Sequence, residues 1–121
     1  MKHPIRIISL ALVSSFCLLT MSCSGEKQLY SWGDYEDAYY DYTKDPSEKN
    51  EKDLVKTFEK MEKRINKSPR KTLPPGIYAE KAYILLKQGN KDEAIILLDK
   101  EIAAYPESKD FIERIKASIK K

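Results

Sequence analysis

Histidine and cysteine are almost missing from this chain. Its 121 residues hold one histidine, His3, and two cysteines, Cys17 and Cys23, all near the start. From Ser24 onward there is neither. A histidine-based triad, a cysteine nucleophile and a zinc site of His and Cys are therefore excluded for that part of the chain, and so is a disulfide within it. Four glycines and six prolines are too few for a low-complexity chain. Charge of one sign is lacking too: beyond Arg6, 20 basic residues face 19 acidic ones, interleaved rather than blocked. With no basic stripe, nucleic acid is not an expected partner and attraction to anionic lipid is weak. No catalytic residue, metal or diffusible cofactor is expected.

Residues 1–22 have the layout of a secretory signal, with Lys2 and Arg6 ahead of an apolar run broken by serines and Thr20. That run is too short and too interrupted for a membrane span. Residues 19–23 resemble a bacterial lipobox, with Ser22 before Cys23 and Thr20 where leucine is more usual. The expectation is cleavage after Ser22 and a covalent lipid on Cys23, whose acyl chains contribute about 0.8 kcal/mol per buried methylene to membrane anchoring. A plain signal peptide with a chance cysteine is the alternative. Ser24, not Asp, follows Cys23. Similarity to sorted lipoproteins then implies the cell envelope, at the outer membrane and facing the periplasm. The expected layout is a leader at 1–22, a lipidated tether at 23–29 and a helical domain at 30–121.

Residues 74–106 carry the clearest helical period. Tyr78, Ala82 and Leu85 recur in one run, then Ala94, Leu98, Ile102 and Tyr105 in a second. Gly89 suits the left-handed residue that closes the first helix. Asn90 with Glu93 reads as a capping box for the second, and Pro106 stops it. This hairpin resembles the tetratricopeptide pattern in Tyr78, Ala82, Gly89, Ala94, Leu98 and Pro106. Lys91 and Glu101 depart from it, standing where an aromatic and a small residue are usual. A generic amphipathic hairpin is the alternative.

Upstream, Ser31 and Asp34 look like a capping-box start, with Trp32 inside the helix it opens and Tyr35, Tyr39 and Tyr42 on one face. Pro46 suits the first turn of a second helix, whose Leu54, Phe58, Met61 and Ile65 recur at helical spacing over roughly 16 residues. Residues 70–75 form a linker with Leu73 turned inward. Ser108 is placed to cap a last helix bearing Phe111, Ile112, Ile115 and Ile119, which covers the open end of the second hairpin. The expected fold is all-α: two irregular tetratricopeptide-like helical hairpins plus a C-terminal capping helix.

Five of the eight tyrosines and the only tryptophan fall within residues 30–42. Two readings stand. Tyr30, Trp32, Tyr35, Tyr39 and Tyr40 form a partner-binding surface, since such side chains supply large contact area at low entropy cost, or they pack the core of the first hairpin. A glycan-binding role for Trp32 and its neighbours is the alternative binding function. Glycan cleavage by carboxylates among Asp34, Glu36, Asp37 and Asp41 is a third reading.

The motif formed by Tyr30, Trp32, Gly33, Tyr35, Glu36, Tyr40 and Tyr42, with the lipobox and with Ala82, Tyr83, Leu85 and Gly89, resembles a family of small, functionally uncharacterised bacterial lipoproteins. Members are often encoded beside a curli-secretion-channel-like lipoprotein. The resemblance implies a non-catalytic interaction or assembly subunit of an outer-membrane complex. Its implied partners are other envelope lipoproteins, a curli-secretion-channel-like one among them. It carries over no catalytic residue.

Overall fold

The computed structural model describes residues 28–119. The leader, the cleavage point and Cys23 lie outside the described residues. Among the described residues five α-helices follow one another: α1 (Tyr35–Lys44), α2 (Glu48–Arg64), α3 (Ile77–Lys87), α4 (Lys91–Ala104) and α5 (Lys109–Ile119). Short 3-10 turns at Ile65–Lys67 and Pro106–Ser108 end α2 and lead into α5. There is no strand among the described residues, and the class is all-α, as the periodicity predicts. None of these helices is long and apolar enough to cross a membrane.

α1 and α2 pair as one hairpin, α3 and α4 as a second, and α5 packs on α4. The small residues explain the closeness of the second pair. Ala82 and Ala94 are fully buried in a cluster with Leu97, Leu98 and Ile112. The first cluster joins Leu54, Phe58 and Met61 of α2 to Leu73, Ile77 and Ile84. Tyr78 packs against both clusters and so ties the two hairpins together. Lys81 reinforces the tie, with its Nζ 3.1 Å from both carboxylate oxygens of Glu62 on α2.

Several local expectations change. Asp34, not Ser31, is the N-cap of α1, and no side chain caps it. Trp32 lies ahead of the helix, because Gly33 takes a positive φ of 58° that a right-handed helix does not admit. Pro46 stands just outside α2. Ser47 is its N-cap, with Oγ accepting from the Asn50 amide at 3.5 Å. Asn90 is the N-cap of α4, but its side chain makes no capping bond. Ser108 donates backward to the Tyr105 carbonyl at 2.7 Å instead of capping α5. Phe111 is 65 % exposed while its neighbour Ile112 is buried. Adjacent residues on a helix point about 100° apart, so only one of the two can face α4.

Glu101 was legible only as a departure from a small residue. The fold buries it to 2 % exposure and uses it. Its Oε1 accepts the Gly76 N–H at 2.7 Å, and Gly76 is the left-handed N-cap of α3. A carboxylate from α4 thus caps the start of α3, where the helix dipole favours negative charge. Its Oε2 is buried with no hydrogen-bond partner among the described residues. Beside it, the Tyr105 hydroxyl donates to the Leu73 carbonyl at 2.6 Å and fixes the linker that precedes α3.

Candidate functional site

The five aromatic residues singled out in the sequence do not form one surface. Tyr30, Trp32, Tyr35 and Tyr39 make a chain of ring contacts with centroid separations of 6.3, 5.6 and 5.5 Å. Within that chain the roles divide. Tyr35 and Trp32 are half-buried against the first core cluster, and the Tyr35 ring lies 6.2 Å from that of Phe58. Tyr30 is half-buried at the end of the chain. Tyr39 and Tyr40 are 43 % and 63 % exposed. Tyr40 lies under the Lys44 ammonium, 5.8 Å from its ring centroid.

Tyr39 opens into a groove of about 560 Å³ between α1 and α3. Tyr39, Tyr42 and Thr43 form the α1 wall, and Glu80, Tyr83, Ile84 and Lys87 form the α3 wall. Leu54, Ala79 and Pro46 complete its lining. The helical repeat accounts for the α3 wall. Residues 80, 83, 84 and 87 fall on one helical face, and Glu80 and Lys87 stand about 10 Å apart along the axis at 1.5 Å per residue. Tyr83 is 59 % exposed. It follows Ala82 in sequence and so turns away from the α3–α4 contact. Glu80, Tyr83 and Lys87 were not singled out as site residues. The available signal was an aromatic at an outward position of an otherwise apolar helix.

Side-chain bonds span the groove at both ends. The Tyr35 hydroxyl donates to Glu80 Oε2 at 2.6 Å. Lys87 Nζ donates to the Tyr42 oxygen at 2.6 Å and to Glu51 at 3.4 Å, and Gln88 donates to Glu51 at 2.9 Å. Burial pushes the Glu80 carboxyl above the usual carboxylate range; the Tyr35 bond acts against this, and the Glu101 charge adds to it. Burial, then the Glu80 bond and charge, raise the Tyr35 phenol, so it stays a neutral donor throughout the physiological range.

A carboxyl raised in the folded state stabilises the fold below its unfolded value and loses that contribution as pH rises through the folded value. Glu80→Gln, whose amide oxygen still accepts from Tyr35, is therefore expected to hold or raise stability at neutral pH. The gain is at most about 1 kcal/mol, because solvent reaches half of the site. It disappears as pH falls into the carboxylate range. Urea titrations of both proteins at pH 7 and pH 4 check this, and a clear loss at pH 7 refutes it.

The groove's chemistry is that of a binding surface. Its polar groups are three phenols, one threonine hydroxyl, one carboxylate and one ammonium, set on aromatic and aliphatic walls. Of the four carboxylates considered for catalysis, Asp34 lies 3.6 Å from Lys60, and Glu36, Asp37 and Asp41 are exposed on α1; none lines the groove. No cluster of three or more His, Cys, Asp or Glu that could hold a metal occurs among the described residues.

Neither a curated protein nor a solved structure matches the chain. A family described as a domain of unknown function, DUF4810, matches residues 29–115. That span begins ahead of α1, ends inside α5 and takes in every residue of the groove. The chain belongs to the DUF4810 family.

Proposed function

We propose that this protein is a non-catalytic docking subunit of a bacterial envelope complex, held at the outer membrane by lipid on Cys23. The observation that carries the reading is the α1–α3 groove, where Tyr39 and Tyr83 stay exposed on opposite walls. Partner-binding surfaces concentrate such residues, because a tyrosine offers large area and few rotors. α1 and α3, the first helices of the two hairpins, both line this groove, and stacked helical hairpins commonly bind partners along such a surface. Other envelope lipoproteins, including a curli-secretion-channel-like one, are the partners that the family resemblance implies. No enzymatic step is assigned.

The groove also shifts where a mutation should act. Tyr35 and Trp32 pack on the core, so removing them perturbs the fold itself. Tyr39 and Tyr83 are exposed, and exposed substitutions usually change stability by no more than about 0.5 kcal/mol. The full-length lipidated protein, tagged and purified in mild detergent, is expected to bring down one or two envelope lipoproteins. The Tyr39→Ala, Tyr83→Ala variant is expected to lose them while keeping its helical circular dichroism. Equal recovery by both proteins defeats the groove as the docking face. Quenching of the Trp32 fluorescence of the unmodified protein by muropeptides moves the assignment to glycan binding.

A further inference from the structure

We propose that the groove accepts a lysine or arginine side chain of the docked segment, its charge meeting the Glu80 carboxylate and its stem lying along the Tyr39 and Tyr83 rings. This rests on the groove being a protein-docking site, and it names what that site recognises. Glu80 is half-buried, and among the described residues the one hydrogen bond to its carboxylate comes from the neutral Tyr35 phenol. No lysine or arginine among the described residues lies within ion-pair distance of it, although seven such pairs form elsewhere on this surface. A carboxylate withdrawn from water is usually paired, and here Oε1 has no partner among the described residues.

The surroundings select a cation. Lys87, the other charge in the groove, is already engaged by Tyr42 and Glu51. Of the three phenol rings that line the cavity, Tyr42 already has the Lys87 ammonium 5.2 Å from its centroid; Tyr39 and Tyr83 remain, and aromatic faces attract cations through the negative face of the ring. The outer face of the α1 wall exposes Glu36, Asp37 and Asp41 against a single lysine, Lys44. An acidic helix beside an aromatic groove speeds encounter with a basic segment and opposes an acidic one. Lysine and arginine also match the length of the site. Their apolar stems cover tyrosine rings while the charged head reaches a partner beyond them.

Isothermal titration of the full-length protein in mild detergent tests this with three blocked pentapeptides. They carry lysine, norleucine or glutamate between two leucines and are otherwise identical. The lysine peptide is expected to bind about tenfold tighter than either of the others, the range of a hydrogen bond to a charged group. Glu80→Gln is expected to reduce the lysine peptide to the norleucine level and leave norleucine binding unchanged. Equal binding of lysine and norleucine, insensitive to Glu80→Gln, overturns the inference while the docking function stands. Absence of binding by any peptide, with the envelope partner still captured through Tyr39 and Tyr83, overturns it as well. Should the partner persist in the Tyr39→Ala, Tyr83→Ala variant, the docking reading itself has failed.

Discussion

Replacing Phe58 by alanine is expected to cost about 3–5 kcal/mol of stability, the range for removing a large side chain from a packed core. Phe58 is fully buried among Leu54, Met61, Leu73, Ile77 and Ile84. It also meets the Tyr35 ring at 6.2 Å. α1 has no buried residue of its own. Trp32, Tyr35, Ala38 and Tyr42 hold it by leaning on the cluster that Phe58 centres. The cavity should therefore release α1 before the second hairpin, whose cluster of Ala82, Ala94, Leu97, Leu98 and Ile112 does not include Phe58. Hydrogen exchange reads this directly: amides of α1 should lose protection first and those of α4 last. A uniform loss across all helices contradicts the two-cluster account. Because total stability is only about 5–15 kcal/mol for a domain of ordinary size, the variant should also lose the groove, of which α1 is one wall.

The second large effect is expected at Glu101. Glu101→Ala removes the acceptor of the part-buried Gly76 N–H. It also removes negative charge from the start of α3 and opens space beside Tyr105. A hydrogen bond to a charged group contributes about 1.5–3 kcal/mol, and the unfilled volume adds to this. Against these stands relief of the unpartnered Oε2. The net loss is expected to be about 2–4 kcal/mol, since the capping bond and the cavity act together. Glu101→Gln separates the contributions. Its amide oxygen still accepts from Gly76 and fills the volume, so it should lose less than half as much. Denaturant titration of the three proteins decides it. If alanine and glutamine variants lose the same amount, the capping bond is not what Glu101 contributes.

The two sites show different degrees of legibility. Phe58 was visible in the sequence because burial of a helix face repeats locally: Leu54, Phe58, Met61 and Ile65 follow the turn of one helix. Leu73 was visible for a similar reason, as an isolated apolar residue in a polar linker. Glu101 was visible only as an oddity. Its partner lies 25 residues away, and no local rule connects an acid on α4 with the first turn of α3. The caps failed in the same direction. Ser31, Asn90 and Ser108 are all suitable cap types, but a cap needs a side-chain rotamer and a backbone angle together. The Gly33 turn displaced the first, and a backward bond to Tyr105 took the third.

By itself the sequence determined the all-helical class, the two hairpins, the Gly89 turn and most of the buried faces. All of these depend on residues within a few turns of one another. It also excluded histidine and cysteine chemistry from everything beyond Cys23, since composition does not depend on folding. Only the tertiary structure decided which tyrosines pack and which stay free. Tyr35 and Tyr39 share a helical face and cannot be told apart by period. Tyr35 meets Phe58 and Glu80, whereas Tyr39 opens into the gap that α3 leaves. That gap exists because α1 is held at its two ends, by Tyr35 on Glu80 and by Tyr42 with Lys87, each across 45 residues of chain. Contacts at that separation are set by how hairpins stack, which local periodicity does not encode.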